Sequence, residues 1–403
     1  MSRERVASGR TFGLLAAAIL VMACFFMAGC GRRSSTVDRV NEDGIEVVLN
    51  HIEPYVVHGE PSKLRLEKEF VIDMESREFA EQGLTDIRYM NVDSRGNIYI
   101  IQPPRGEAFL VFKFDSTGRL EKRFARRGSG PGEIQWPRVF GIGSHDEILV
   151  IDGESGKLLT FAPSGVLMSE LSIPKAARRS LAMPLANGDF LASGAWEEGS
   201  GAQTETSFGV FDHEFTKIRA LSQFKVPPDP EPSERINVFT PFPLPVVTRD
   251  RIFLGCPGKT YEIFVYDLEG NLIRKIRKDY RPVPVTEAYQ KATLARAPKD
   301  SPILQRIYFP PDKPAFQFLF ADEADRLFVV TSEVDAESGQ DVCDIFDRDG
   351  IYIGRAPIGY FDYIAALYES SALSVTAANG RMFVLHEKES GFKELIVYRA
   401  NWK

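Results

Sequence analysis

The chain has 403 residues, of which 44% are hydrophobic and 11% aromatic, and a formal net charge of −7. An acidic chain lacks the basic footprint that nucleic acid requires, so we predict no nucleic-acid partner. The hydrophobic content suffices for a large core, and the length alone would allow two or three domains.

The N-terminus has the pattern of a secretory leader. Three arginines precede an uncharged apolar run over 12–29, and such a start is typical of a signal peptide. The run ends in Met27-Ala28-Gly29-Cys30, which resembles the lipobox of bacterial lipoproteins. The resemblance implies cleavage before Cys30 and lipidation of Cys30. An uncleaved membrane span is the alternative, since the run is close to spanning length.

We therefore predict a lipoprotein signal peptide over 1–29, a lipidated tether and lead-in over 30–62, and a folded domain over 63–403. Several acyl chains hold a protein firmly on a membrane. By the sorting pattern of such lipoproteins, Gly31 after the cysteine indicates the outer membrane. The predicted location is thus the bacterial cell envelope, with the folded domain outside the cytoplasm.

A repeated pattern dominates residues 96–400. Each unit has an apolar strand core after a polar turn, followed by a second turn that usually reads aromatic-Asp. The strand cores lie at 96–100, 146–150, 188–191, 250–254, 325–329 and 380–384, and the second turns begin at Phe114, Phe161, Phe211, Tyr266, Phe346 and Tyr398. Repeats of about 40 to 50 residues with several short strands are the signature of a β-propeller.

The end of the repeat predicts how the ring closes. The sixth unit has no final strand before Lys403, and a matching strand precedes the first unit at 63–72. We expect this N-terminal strand to complete the last blade, which removes unpaired sheet edges. The predicted fold is all-β, a six-bladed β-propeller of four-stranded antiparallel blades with a short helical insertion. A seven-bladed ring is the alternative, if residues 44–58 form a degenerate extra blade.

Two excursions interrupt the repeat. An insertion near 285–314 contains a helix-forming stretch with Thr286 as a plausible N-cap. A proline-rich excursion lies between units three and four. Because repeat proteins place extra segments on loops that often form a binding face, we predict binding residues in both excursions: Pro241, Phe242, Thr286, Glu287 and Tyr289.

The sequence specifies no catalytic centre. The five histidines share no metal-ligand spacing, and neither a G-x-S-x-G nor a C-x-x-C motif occurs. We predict no cofactor. The alternative is Ca²⁺ held by carboxylates at the mouth of the central channel, for which the candidates are Asp86, Asp93, Asp152 and Glu197. Each candidate also suits a turn or strand-capping role, which we favour.

Two further features concern the blades. Cys256 and Cys343 are the cysteines of the folded part. We favour unpaired core thiols, with a disulfide between them as the alternative in an oxidising compartment. The basic run 274–278 is expected on an outer strand, where exposed charge discourages sheet-to-sheet aggregation.

One stretch carries a family resemblance. Residues 127–134 read Arg-Gly-Ser-Gly-Pro-Gly-Glu-Ile, Trp136-Pro137 follows, and a strand ends in Asp152. This pattern is similar to the NHL-type repeat. The whole chain resembles bacterial lipoproteins described as six-bladed propellers of NHL or TolB-like type. That resemblance implies a fold and a location, not a reaction.

The sequence therefore predicts noncatalytic binding or scaffolding by a membrane-anchored propeller. The expected partners are the membrane, through the lipid anchor, and a protein or cell-envelope ligand. The alternative is a propeller hydrolase or lyase with a carboxylate and cation site at the channel mouth. Fold alone does not decide between them, because propellers host both.

Overall fold

The repeats fold into antiparallel blades, and the computed structural model describes them in residues 37–105, 108–174, 182–193, 206–226, 235–239, 244–258, 260–296, 302–359 and 375–403. In this part of the chain the sheets form six four-stranded blades around a ring, as predicted. Cys30 and Glu197 lie outside the described residues, as do Pro241 and Phe242.

The elements follow one another in the order that the repeat predicts. Before the first blade come β1 (Asp38–Glu42), β2 (Ile45–Asn50), β3 (Leu64–Asp73) and the helix α1 (Arg77–Glu81). Blade one consists of β4 (Tyr89–Val92), β5 (Ile98–Ile101), β6 (Phe109–Phe114) and β7 (Leu120–Arg126). Blade two consists of β8 (Pro137–Ile142), β9 (Ile148–Asp152), β10 (Lys157–Phe161) and β11 (Leu167–Ser172). Blade three consists of β12 (Ala182–Pro184), β13 (Phe190–Ser193), β14 (Thr206–Phe211) and β15 (Lys217–Val226), and is followed by the short strand β16 (Ile236–Asn237).

The second half of the ring contains the helical insertion. Blade four consists of β17 (Leu244–Val247), β18 (Ile252–Gly255), β19 (Glu262–Tyr266) and β20 (Leu272–Lys278). The insertion holds α2 (Glu287–Arg296), a 3-10 turn (Pro302–Gln305) and β21 (Ile307–Tyr308). Blade five consists of β22 (Phe316–Ala321), β23 (Leu327–Val334), β24 (Asp341–Phe346) and β25 (Tyr352–Pro357). Blade six consists of β26 (Val375–Ala378), β27 (Arg381–Glu387), β28 (Lys393–Trp402) and β3.

Aspartates close the repeated turns. At five of these turns the carboxylate accepts the backbone N–H groups of the residues two and four positions later: Asp93, Asp115, Asp212, Asp322 and Asp347. A side chain that bonds the local backbone in this way stabilises a tight turn. The periodic aspartates of the sequence are therefore turn-closing residues.

The loops of the blades emerge on two opposite faces of the ring, because neighbouring strands run in opposite directions. The first strands of neighbouring blades contact one another, as β4 contacts β8 and β22 contacts β26, so the first strand of each blade is the innermost. Because the strands are antiparallel, the turns between first and second and between third and fourth strands share one face, here called the turn face. The opposite face, the connection face, carries the other loops and the connections between blades, including both excursions.

Glycines in the outer turns let neighbouring blades approach closely. Gly118 has φ +84°, and a Cβ there would lie 2.5 Å from the Phe70 ring of blade six. Gly350 of blade five, with φ +78°, lies in the same way against Ile276 of blade four. Each of these turns thus packs on the outer strand of the preceding blade, where a side chain would be both strained and clashing.

The ring closes with the N-terminal strand, as predicted. β3 pairs antiparallel with β28 as the outer strand of blade six. The backbone N–H groups of Ser62 and Lys63 both donate to the Lys403 carbonyl at 3.1 Å. The buried Ile72 of β3 joins the same apolar cluster as Ile98 of blade one. β3 therefore completes the blade of the C-terminal strand β28 and packs against the first blade.

The segment before β3 does not form a seventh blade. β1 and β2 form a hairpin, and β2 pairs in parallel with β20, so the sheet of blade four has six strands. Asn50, at the end of β2, is 2% exposed. Its side chain accepts the Tyr352 N–H at 2.8 Å and donates to the Gly350 carbonyl at 3.0 Å. Residues 38–50, assigned by sequence to the lead-in, thus join the outer edge of blade four.

The hairpin also corrects the prediction for the basic run 274–278. Its cations are not a bare charged edge. Arg274 bonds Glu46 at 2.6 Å, Lys275 bonds Glu42 at 3.1 Å, and Arg277 bonds both Glu42 and Glu262 at 2.5 Å. The basic run of the fourth blade therefore holds an additional, acidic hairpin.

We expect this hairpin to detach in acid. Hydrogen bonds from Arg277 and Lys275 lower the pKa of Glu42 to about 2. A carboxylate whose pKa is lower in the folded state contributes stability that is present above its unfolded value, about 4.3, and is lost as the pH falls toward 2. The protection factors of the Val47 and Val48 amides, which compare their exchange with that of an unstructured chain at the same pH, should therefore fall over this interval. Glu42→Gln should make exchange fast already at neutral pH, whereas the exposed Glu53→Gln should not. A wild-type exchange pattern unchanged down to pH 2 would contradict this.

Two further features concern the cysteines of the folded part and the helices. Cys256 and Cys343 are both free, as expected, and burial raises the pKa of each thiol. Among the described residues, neither length nor apolar character allows any helix to cross a bilayer.

Candidate functional site

The two predicted binding excursions come together on the connection face. β16, between blades three and four, pairs in parallel with β21, between blades four and five. The N–H of Ile236 donates to the Arg306 carbonyl at 2.8 Å, and the N–H of Val238 donates to the Tyr308 carbonyl at 3.1 Å. We call residues 235–239, 283–296 and 302–313 the connection module. Its formation from both excursions was not predicted.

The connection module has its own apolar core. Val238 and Phe239 are 1% and 4% exposed and pack with apolar residues of the insertion: Val285, Tyr289, Ile307 and Phe309. The Phe239 ring lies 6.1 Å from the Tyr289 ring and 6.4 Å from the Phe309 ring, the latter edge-on. Such aromatic contacts add to the stability from burial alone. The module is therefore a packed unit rather than two separate loops.

Helix α2 forms the outer part of this module. The Thr286 hydroxyl accepts the Tyr289 N–H at 3.2 Å, which confirms Thr286 as the N-cap. Glu287 is exposed in the first turn, whereas Tyr289 is half-buried against the module core. Among the described positions of α2, the exposed ones carry two charged side chains, Glu287 and Lys291, besides three alanines and Leu294, which is 40% exposed. Of the predicted binding residues that the structure describes, Thr286 and Glu287 are exposed and Tyr289 is half-buried.

The predicted channel carboxylates are engaged in local structure. Asp152 is fully buried and accepts the backbone N–H groups of Gln135 and Trp136 at 2.8 and 2.9 Å, besides the Ser155 hydroxyl at 2.7 Å. Asp86 lies 3.2 Å from the Lys393 ammonium and 3.5 Å from Arg105. Asp152 and Asp86 lie at the connection-face end of their blades.

Asp93 lies at the opposite end of the inner strands. It closes a turn on the turn face, where its carboxylate also accepts the Tyr99 hydroxyl at 3.2 Å. The described candidates are therefore not gathered around one point. In the described part of the chain, no group of three or more His, Cys, Asp and Glu side chains is placed to hold a metal ion.

A buried ion pair between blades four and five was missed by the sequence reasoning. The Lys278 ammonium of β20 lies 3.3 Å from the Asp344 carboxylate of β24, and the two side chains are 6% and 1% exposed. The Tyr261 hydroxyl donates to the same carboxylate at 3.0 Å. Lys278 also lies 4.5 Å from the centre of the Tyr352 ring. In the sequence, Asp344 stands out as a charged residue within the apolar stretch 342–346. The sequence does not indicate that Lys278 is its partner.

Burial and the charge of Asp344 shift the pKa values of the tyrosines and the arginine around this ion pair. Burial and the Asp344 charge raise the pKa of Tyr261 well above its usual range, and they also raise the pKa of Tyr352. Burial alone would lower the pKa of Arg355, but Asp344 and Glu333 raise it. The tyrosines therefore stay neutral near pH 7, and the ion pair ties the two blades together.

Comparisons with known proteins agree with the fold. No protein-family model matches the sequence, and no similar curated protein was found. A solved structure of a Bacteroides fragilis protein described as exported is 12% identical, with a TM-score of 0.50, and the match covers 89% of this chain and 99% of that chain. A member of the DUF4221 family from Bacteroides vulgatus is 11% identical, with a TM-score of 0.47 and coverage of 85% and 100%. A virginiamycin B lyase from Staphylococcus aureus is 11% identical, with a TM-score of 0.38 and coverage of 83% and 99%.

Fold and comparisons together define the class of this protein as a six-bladed β-propeller. Of the three structures, the first reaches a TM-score of 0.50, and at 12% identity it shows the fold alone. A shared fold does not establish a shared activity.

Proposed function

We propose that this protein is a lipid-anchored propeller of the bacterial cell envelope that binds a protein or an envelope ligand without catalysing a reaction on it. The connection module carries the proposal. Two excursions separated in sequence build one packed unit on a single face, and its helix presents an accessible surface. A rigid module outside the blades can recognise a partner without disturbing the ring.

The location rests on the leader. The sequence Met27-Ala28-Gly29-Cys30 resembles a lipobox, and the fold is shared with a Bacteroides fragilis protein described as exported. We expect mass spectrometry of the purified protein to find acylated Cys30 at the N-terminus. Because Gly31 follows the cysteine, we expect membrane fractionation to find the protein in the outer membrane. Cys30→Ser should abolish acylation. An intact residue 1 on the membrane-bound protein would instead identify an uncleaved span.

The alternative, a hydrolase or lyase with carboxylates and Ca²⁺ at the channel mouth, has less support. Asp152 uses its oxygens on backbone N–H groups and the Ser155 hydroxyl, and Asp86 lies beside two cations. A calcium site requires several oxygen ligands directed at one point. Direct calorimetric titration with Ca²⁺ separates the proposals, since saturable binding lost on Asp86→Asn would favour the alternative.

Phe239→Ala tests whether the packed module is required. Removing a buried phenylalanine costs about 3–5 kcal/mol, and the loss should fall on the module because Phe239 packs there rather than between blades. We expect faster amide exchange in α2, unchanged exchange in β23 and loss of partner binding. Arg95→Ala, an exposed change on the turn face, should leave all three unchanged. Full binding despite an opened module would refute its role.

A further inference from the structure

A cationic and aromatic cluster lies where the inner strands of blades one and two reach the connection face. Arg88 precedes β4, and Trp136 precedes β8. The guanidinium carbon of Arg88 lies 5.0 Å from the centre of the Trp136 ring and 5.3 Å from the centre of the Tyr89 ring. Contact with two aromatic rings orients a guanidinium and keeps it rigid.

The support for Arg88 is itself held in place. The buried Asp152 accepts the Trp136 N–H at 2.9 Å, and the Trp136 carbonyl accepts the Gly153 N–H at 3.0 Å. The Tyr89 hydroxyl donates to the Arg138 carbonyl at 2.9 Å and so links the two inner strands. The buried carboxylate that the sequence suggested as a metal ligand thus positions an aromatic side chain at the channel mouth.

Two guanidinium groups lie here, those of Arg88 and Arg138, and in the described part of the chain neither has an anionic partner. The Arg88 Nε atom is buried and has no hydrogen-bond partner. Arg138 lies two residues beyond Trp136. The register of β8 against β9 shifts between Pro137 and Val139, so strand alternation does not fix the direction of the Arg138 side chain. Trp136 and Arg138 are both exposed, whereas Pro137 and Val139 are buried. Within the described residues, neither guanidinium forms an ion pair.

Among the described residues, Asp86 and Asp152 form no ion pair with these two arginines. Asp86 is paired with Lys393 and Arg105, and Asp152 is bonded to backbone N–H groups. An unpaired guanidinium atom away from water costs free energy unless a ligand or water bonds it. The exposed Glu154 lies at the same end of blade two, next to Gly153, whose N–H bonds the Trp136 carbonyl. An anion would therefore be attracted by the unpaired guanidinium donors and not by an excess of positive charge.

We infer that the channel mouth at blades one and two binds a carboxylate or phosphate group of a ligand. Arg88 donates hydrogen bonds from its oriented guanidinium, and both oxyanion classes match this donor geometry. Arg138 adds a second, exposed cation two residues beyond Trp136, and Trp136 offers a ring face to the rest of the ligand. This site is separate from the connection module and does not depend on lipid anchoring.

The test is calorimetric titration of the purified folded protein with inorganic phosphate and, separately, with acetate at constant ionic strength. We expect saturable binding of at least one. Arg88→Lys keeps the charge but removes the fork, and should weaken binding about 10-fold or more. Arg138→Ala should also weaken it, whereas Arg95→Ala, on the opposite face, should leave it unchanged.

Each outcome has a defined meaning. Saturation by phosphate alone identifies a phosphate-bearing ligand, saturation by acetate alone identifies a carboxylate-bearing ligand, and both support the inference. Absence of saturation by either probe overturns it, as does wild-type affinity in both Arg88→Lys and Arg138→Ala. Thermal melting of each variant controls for folding. Because Arg138 is exposed, its variant decides the question if Arg88→Lys does not fold.

Discussion

Replacing Asp344 by alanine should destabilise the propeller by about 3–5 kcal/mol, because it leaves a buried cation without its counter-charge. The Lys278 side chain is 6% exposed and lies 3.3 Å from Asp344. The Tyr261 hydroxyl, which donates to Asp344 at 3.0 Å, also loses its acceptor. Denaturant unfolding near pH 7 measures the change in the free energy of unfolding.

Two controls separate the buried pair from surface charge. A double variant, Lys278→Met with Asp344→Leu, should recover most of the loss, because apolar side chains can replace a buried ion pair. Glu333→Gln should cost less than about 1 kcal/mol, since that carboxylate is 39% exposed and salt bridges at the surface contribute little. A loss below 1 kcal/mol for Asp344→Ala would show that Lys278 reaches water or another anion.

Removing residues 1–73 should abolish cooperative folding. That deletion takes away β3, the outer strand of blade six, and exposes the edge of β28 along its length. It also removes Ile72 from the apolar cluster shared by blades six and one. A ring that is open at one blade leaves both an unpaired edge and an unburied face.

Deleting residues 1–50 provides the matched control. It removes the β1–β2 hairpin but keeps β3 and the contacts between Lys63 and Lys403. This shorter deletion should still give one cooperative thermal transition by circular dichroism, at a lower midpoint than the full chain. If the 1–73 deletion melted with the same midpoint as the 1–50 deletion, ring closure by β3 would not contribute to stability.

The repeat made most of the fold predictable. Turn aspartates and strand cores recur because the blades have similar tight turns and buried strands. The sixth unit lacked a final strand, and this predicted that the strand before the first blade would complete it. The β1–β2 hairpin was different. Asp43 and Gly44 have positive φ values that suit its turn, but its parallel partner β20 is more than two hundred residues away. The local sequence of β2 therefore does not predict its pairing with β20.

The candidate site was predictable in part. Helix-forming composition and Thr286 located α2, and the favoured capping roles agree with the contacts of Asp93 and Asp152. The joining of β16 to β21 and the stacking of Arg88 on Trp136 depend on the ring bringing distant segments together. Asp344 and Lys278 likewise meet across a blade interface, so neither residue reveals the pair alone.

Recognition through the connection module is tested most directly by site-specific photo-cross-linking in cells. A photoreactive residue is placed at exposed Lys291 of α2 in the full-length chain, and a matched one at exposed Arg95 on the turn face. We predict a specific cross-linked partner from position 291 that is absent from position 95 and lost in Phe239→Ala. Equal cross-linking from both positions, or a partner from position 95 alone, would contradict recognition through this module.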